Sequence, residues 1–189
     1  MKKIGLYFGS FNPVTTGHML VAQESLEHVD EVWFILSPHN PHKDEKDLLD
    51  ENSRYEMLVE ALVDSDNPRF KASTIEFDMD KPSYTINTID ALKEKHKDVS
   101  FHIITGTDAY MTVTFWKKGV DLLQQIPFII VKRGYKDDFN LKDSDIVIDG
   151  YSTMSATVVR NKVKNNKPLG YLVPGGVENL IKRKGYYKD

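Results

Sequence analysis

Apolar residues in this chain follow two rhythms. Dense runs of four to seven alternate with stretches in which apolar side chains return every three or four positions. Ile4 to Phe8 is dense and predicts a buried strand ending in a glycine-containing turn. Glu31 to Ser37 predicts a second strand, Phe70 to Phe77 a third, Val99 to Thr105 a fourth and Pro127 to Val131 a fifth, with Asp145 to Ile148 a candidate sixth. Between them the helical spacing predicts helices over Gly17 to His28, Glu51 to Val63 and Tyr84 to Lys95. Ser155 to Val163 and Val177 to Lys184 predict two more, and Gly185 stands where a helix C-cap belongs. Pro38 to Asp50 is a polar loop.

Strands that alternate with helices predict an α/β fold. The expectation is a Rossmann-like, doubly wound, mainly parallel sheet of strand order 3-2-1-4-5. One domain would span residues 1–189, with a small C-terminal helical portion over about 152–189. Such sheets bind ligands beyond the carboxyl ends of their strands, at the switch point. The loops after the first, second and fourth strands therefore hold the candidate chemistry.

Composition narrows the chemistry further. The 189 residues are 40% hydrophobic and 28% charged, an ordinary balance for a soluble globular chain. The absence of cysteine excludes disulfides, thiolate metal sites and a cysteine nucleophile. The apolar runs are strand-sized and the apolar part of the N-terminus is too short for a signal peptide, so the expectation is a cytoplasmic protein with no membrane partner. The net charge of −3 conceals a gradient. Residues 160–189 carry +6, leaving −9 for residues 1–159. A basic tail of this kind is a solvated face, a nucleic-acid arm or a phosphate site.

The loop after the first strand reads Gly9-Ser10-Phe11-Asn12-Pro13-Val14-Thr15-Thr16-Gly17-His18. It is neither a Gly-x-Gly-x-x-Gly turn nor a Walker A sequence. Gly9 permits close approach of backbone to a ligand. Ser10, Asn12, Thr15 and Thr16 bring hydrogen-bonding side chains, and His18 falls on the first turn of the next helix, where free N–H groups favour an anion. By itself this is also a capped strand–helix turn, with Thr15 or Thr16 as the cap and His18 on the surface.

The whole string is more specific. It resembles the nucleotidylyltransferase signature Gly-x-Phe-(Asp/Asn)-Pro followed by (His/Thr)-x-Gly-His. Further segments resemble one branch, the bacterial nicotinate mononucleotide adenylyltransferases. These are Ser37-Pro38-His39-Asn40-Pro41-His42-Lys43, Arg54 with Met57-Leu58, Ser83-Tyr84-Thr85 with Thr88, Gly106-Thr107-Asp108 with Trp116, and Met154-Ser155-Ala156-Thr157-Val158-Val159-Arg160. The ending, Tyr171-Leu172-Val173-Pro174 to Gly185-Tyr186-Tyr187, is similar too. Three departures stand out. Thr15 replaces the first histidine of His-x-Gly-His, Gly-Ser-Phe-Asn replaces Gly-Thr-Phe-Asp, and Ser-Ala-Thr replaces Ser-Ser-Thr.

The resemblance implies transfer of AMP from ATP to nicotinate mononucleotide, giving deamido-NAD (nicotinate adenine dinucleotide) and pyrophosphate. His18, Thr15 and Arg160 would be catalytic. His18 would stabilise the bridge between the α- and β-phosphates, Thr15 would hold an α-phosphate oxygen and Arg160 the β- and γ-phosphates. Gly9, Ser10, Phe11, Asn12, Gly17, Gly106, Asp108, Ser155 and Thr157 would bind ATP. Asp108 is a candidate acceptor for the ribose hydroxyls or a cap for the helix that follows. Lys43, with His42 beside it, and Tyr84, Thr85 and Trp116 would bind nicotinate mononucleotide. Trp116 would stack on the pyridine ring and Thr85 would receive its carboxylate, while Phe115 is expected in the core. Mg²⁺ would arrive with the triphosphate, since no protein-built metal cage is visible. No nucleic-acid partner is expected, and a homo-oligomer is compatible with the sequence. The alternatives are another adenylyltransferase, such as a phosphopantetheine adenylyltransferase, or a regulator that binds nucleotide without turnover.

Overall fold

The first dense run forms β1 (Lys2–Gly9), and α1 (Thr16–Ser25) leads from it to β2 (Glu31–Leu36). Next come α2 (Glu51–Ser65), β3 (Phe70–Ser73), α3 (Thr85–Lys95), β4 (Val99–Gly106), α4 (Thr107–Met111), α5 (Gly119–Gln125), β5 (Phe128–Lys132), β6 (Ile146–Asp149), α6 (Ala156–Lys164) and α7 (Gly175–Lys184). This computed structural model describes residues 1–38, 48–132, 141–150 and 154–188.

The six strands form one sheet of order β3-β2-β1-β4-β5-β6, and every neighbouring pair is parallel. The expected order holds, and the candidate sixth strand extends it at the edge. The chain runs outward from β1 to β3, then returns to place β4 on the other side of β1. That return makes β1 and β4 the switch point, with Tyr7 opposite Ile104 close to the carboxyl ends of both strands.

Helices cover both faces, which is why the strands read as unbroken apolar runs rather than strict alternations. The period-2 pattern decides which side chain enters which core. Val32, Phe34 and Leu36 of β2, with Ile129 and Val131 of β5, join one cluster with residues of α1, α2, α6 and α7. Ile4 and Leu6 of β1, with Phe128 and Ile130 of β5, join the other, with residues of α3, α4 and α5.

Two expectations are corrected, and one segment without an expected element gains its structure. The third strand ends at Ser73, because a run of turns over 74–79 takes the chain off the sheet edge. The segment between β4 and β5 folds into α4, a 3₁₀ turn at Val113–Phe115 and α5, which carry too few periodic positions to stand out in sequence. Phe115 is not core: it is 86% exposed on that 3₁₀ turn, while Val113 takes the buried position. Gly119 is needed nearby, since a Cβ there would fall 1.7 Å from the Val113 carbonyl oxygen. No helix among the described residues is long and apolar enough to cross a membrane.

Candidate active site

The loop from β1 to α1 is held from inside by aromatic packing. The Phe11 backbone is left-handed, with φ of 43°, and its ring is buried edge-on against Tyr7, Phe34 and His18. A non-glycine residue adopts that conformation only where its surroundings hold it. Gly9 makes room for the ring, since a Cβ there would lie 2.8 Å from the Phe11 Cζ. The Asn12–Pro13 bond is cis.

Thr15, not Thr16, is the N-cap of α1. Its Oγ1 accepts the His18 N–H at 3.3 Å, and the Thr15 N–H in turn donates to His18 Nδ1 at 2.9 Å. This is a capping box with histidine where glutamate is usual. Because Nδ1 accepts, the neutral ring carries its proton on Nε2. Tyr7 and Phe11 meet the imidazole edge-on, with centroids at 6.0 and 5.3 Å. The fold therefore sets both the tautomer and the orientation of His18 at the head of a helix. Gly17 lies buried beside it in the same turn.

Arg160 comes to this loop from α6. One Nη1–H donates to the Asn12 carbonyl at 2.8 Å, and Nη2 reaches Thr157 Oγ1 at 3.3 Å. Ser155 caps α6, its Oγ accepting the Val158 N–H at 3.3 Å. The structure thus brings together Gly9 to Asn12, Thr15, Gly17, His18 and Arg160, with Ser155 and Thr157 on the first turn of α6. Among the described residues the buried Ser10 Oγ has no hydrogen-bond partner. The Asn12 side chain turns away from a purely ligand-facing role: its Oδ1 accepts from the Leu49 N–H and from the Tyr187 hydroxyl.

Across the switch point, Gly106 is the N-cap of α4 and Asp108 is exposed in its first turn. Asp108 does not cap α4, which has no side-chain cap bond. A second group of the expected site residues comes together from α3 and the segment after α4. Tyr84 is the N-cap of α3 but gives it no side-chain hydrogen bond, so the first amides of α3, Thr85 included, carry no cap from Tyr84. The Lys117 ammonium lies 4.3 Å from the centre of the Tyr84 ring, and Tyr84 and Trp116 both pack, half-buried, against the second core cluster. Lys43 and His42 lie outside the described residues.

The sequence assigned no role to four residues that adjoin these groups. Arg54 is completely buried, yet among the described residues it pairs with no carboxylate at hydrogen-bond distance. Its Nε donates to Leu49 O at 2.7 Å, Nη1 to Ser10 O at 2.8 Å and Ser37 O at 2.7 Å, and Nη2 to Pro38 O at 2.7 Å. Burial lowers its pKa from the ordinary arginine value, opposed by the nearby charges of Glu51 and Asp50 and by Tyr187. One guanidinium thus ties the loop after β1 to the segment after β2 and to the entry of α2. A signal was present: Arg54 stands four and seven positions before Leu58 and Ala61, on the buried face of its helix. Glu76, 2% exposed, accepts from the hydroxyls of Ser83 at 2.5 Å and Thr88 at 2.7 Å, which fixes the approach to α3. Lys117 and Tyr187 are the other two, and only the tertiary fold brings them here.

Among the described residues no three His, Asp or Glu side chains gather as a metal site. The cleft instead offers amide and hydroxyl donors, an oriented imidazole and a guanidinium, a set suited to phosphate oxygens.

The chain is similar to known proteins in sequence and in fold. The cytidylyltransferase-like family model matches residues 6–164. A probable nicotinate-nucleotide adenylyltransferase of Cytophaga hutchinsonii is 38% identical over 192 residues, covering 99% of both chains. The nicotinate-nucleotide adenylyltransferase of Bacillus subtilis is 35% identical over 194 residues, covering all of both chains. Among solved structures, the nicotinic acid mononucleotide adenylyltransferase of Plasmodium falciparum complexed with NaAD superposes with a TM-score of 0.80 at 19% identity, covering 99% of this chain and 98% of that one. From the full-length identity and the matching fold, the chain belongs to the cytidylyltransferase-like superfamily and, within it, to the nicotinate-nucleotide adenylyltransferases.

Proposed function

We propose that this protein transfers the AMP group of ATP to nicotinate mononucleotide, forming nicotinate adenine dinucleotide and pyrophosphate, a step of NAD biosynthesis. The observation that carries the reading is the reciprocal Thr15–His18 pair, which presents an Nε2–H donor at the head of α1. Family membership supports the choice of substrates.

The reaction is an in-line displacement. A phosphate oxygen of the mononucleotide bonds to the α-phosphorus of ATP, and the bond from that phosphorus to the bridging oxygen breaks. Pyrophosphate leaves with the bond's electrons, so negative charge grows on the bridge and the departing oxygens. Positioning and fixed donors supply the catalysis, and no covalent enzyme intermediate is required. His18 Nε2–H meets the charge developing at the α/β bridge. Thr15, fully buried, acts through His18 by holding the imidazole in place. Arg160 takes the β- and γ-phosphates, with Ser155 and Thr157 beside it at the start of α6. Gly9 to Asn12, Gly17 and Gly106 line the nucleotide, and Asp108 accepts from the ribose. Mg²⁺ bound with ATP would add positive charge beside the phosphates that His18 and Arg160 meet. Thr85 and Tyr84 at the start of α3, with Trp116 and Lys117 opposite, receive the nicotinate ring and its carboxylate. Lys43 is assigned to nicotinate mononucleotide by the resemblance alone.

The test is pyrophosphate release from ATP and Mg²⁺ with three acceptors in parallel: nicotinate mononucleotide, nicotinamide mononucleotide and phosphopantetheine. Turnover is expected with the first. Release with phosphopantetheine alone would move the protein to another adenylyltransferase activity, and ATP binding without release from any acceptor would make it a regulator.

A further inference from the structure

The last turn of the chain reaches into the nucleotide loop. Gly185 ends α7 with φ of 72°, and the chain then turns back so that Tyr187, only 8% exposed, enters the first core cluster. Its hydroxyl donates to Asn12 Oδ1 at 2.8 Å, across 175 positions of sequence. The same oxygen accepts the Leu49 N–H at 3.3 Å, and the Asn12 carbonyl accepts from Arg160 at 2.8 Å. Asn12 is therefore gripped by the C-terminus through its side chain and by the phosphate-directed arginine through its backbone.

We infer that Tyr187 is a positioning residue for ATP: its hydroxyl holds Asn12, and through the Asn12 carbonyl it holds Arg160 where the triphosphate binds. The inference rests on the nucleotide-binding reading of this loop. Burial raises the phenol's pKa, against the pull of the Arg160 and Arg54 charges, so the hydroxyl stays protonated and donates throughout the neutral range. Tyr186, the preceding residue, points elsewhere. Its hydroxyl meets Ser53 Oγ at 3.1 Å and Glu56 at 3.4 Å, both on α2 and outside the loop. The two adjacent tyrosines each make hydrogen bonds to a distant segment, but only one of those segments carries the nucleotide loop.

Tyr187→Phe deletes the O–H and keeps the ring that fills the core; Tyr186→Phe is the matched control. ATP affinity by calorimetry and steady-state kinetics are measured on both full-length variants and on the unaltered protein, with melting midpoints alongside. In Tyr187→Phe the Kd for ATP is expected to rise about five-fold, the scale of one net hydrogen bond. The kcat/KM for ATP should fall at least as far, with the KM for nicotinate mononucleotide unchanged. Tyr186→Phe should leave the ATP values unaltered, although its melting midpoint drops by a similar amount. An unchanged Kd in Tyr187→Phe, or an equal loss in both variants, overturns the inference. If the unaltered protein binds ATP but turns over no pyridine mononucleotide, the proposed activity falls while the ATP affinities still decide the role of Tyr187.

Discussion

Thr15 and His18 cap each other: the threonine oxygen takes the histidine's backbone N–H, and the histidine Nδ1 takes the threonine's. A structural bond and a catalytic orientation are thus the same contact. His18→Glu separates them, because glutamate is the usual partner at this helix position. The melting midpoint should stay close to that of the unaltered protein, while kcat/KM falls by about 10²-fold or more, the scale of one lost transition-state donor. A variant that keeps a tenth of the activity would remove His18 from the chemistry.

Thr15 is fully buried, so its cap oxygen has no water to fall back on. Thr15→Val should lower stability by about 1 kcal/mol, and Thr15→Ser should recover most of it, read from urea midpoints at constant slope. A loss in Thr15→Ser with none in Thr15→Val would show that the methyl group, not the oxygen, is what the site needs.

Arg54 places one charge among backbone carbonyls from three segments. Arg54→Met fills similar volume but strands those acceptors. The expected loss is about 3 kcal/mol or more, since buried polar groups would go unpaired. Arg54→Lys supplies three donors and should lose less. Chemical denaturation of both variants checks the ranking.

Glu31 joins the start of β2 to two neighbouring strands. Its carboxylate meets Lys2 at 2.6 Å, Lys71 at 2.9 Å and the Trp33 indole N–H at 2.8 Å. Partial burial works against ionisation, but the bonds from Lys2, Trp33 and Lys71 outweigh it and pull the pKa from 4.5 to about 2. A folded pKa below the unfolded one means stability that is complete above about 4.5 and lost as pH falls toward 2. Glu31→Gln should therefore be less stable than the unaltered protein at pH 7, and the gap should close across that window. A gap that persists at pH 2 would trace the loss to packing.

Lys117 puts a positive charge over Tyr84 at the start of α3. If the nicotinate carboxylate docks there, Lys117→Glu should raise the KM for nicotinate mononucleotide by about five- to ten-fold, from a near-surface charge reversal. The KM for nicotinamide mononucleotide, which lacks that charge, should move much less. Equal shifts for both acceptors would place the carboxylate elsewhere.

The lesson for reading such chains lies in particular elements. The dense runs over Ile4 to Phe8 and Glu31 to Leu36 declared buried parallel strands because both faces are covered, and no competing element has that density. The loop from Gly9 to His18 was legible because its Gly, Phe, Asn, Pro, Thr, Gly and His fall at the spacing of the signature it resembles. By contrast, α4 and α5 have five and seven residues, too few turns for a period to emerge. Phe115 is exposed because a 3₁₀ turn, not a continuous helix, sets which way it faces.

What the sequence determined alone was local: element types, the alternation that makes a doubly wound sheet, a helix cap at Thr15 or Thr16, and the residue types that meet phosphate. Tertiary structure decided what depends on contacts between distant segments. It buried Arg54 among the carbonyls of Ser10, Ser37, Pro38 and Leu49, set Lys117 over Tyr84, and brought Tyr187 to Asn12. Helical spacing puts Arg54 on a buried face but names none of these partners, because the contacts form only after the sheet and its helices have brought the distant segments together.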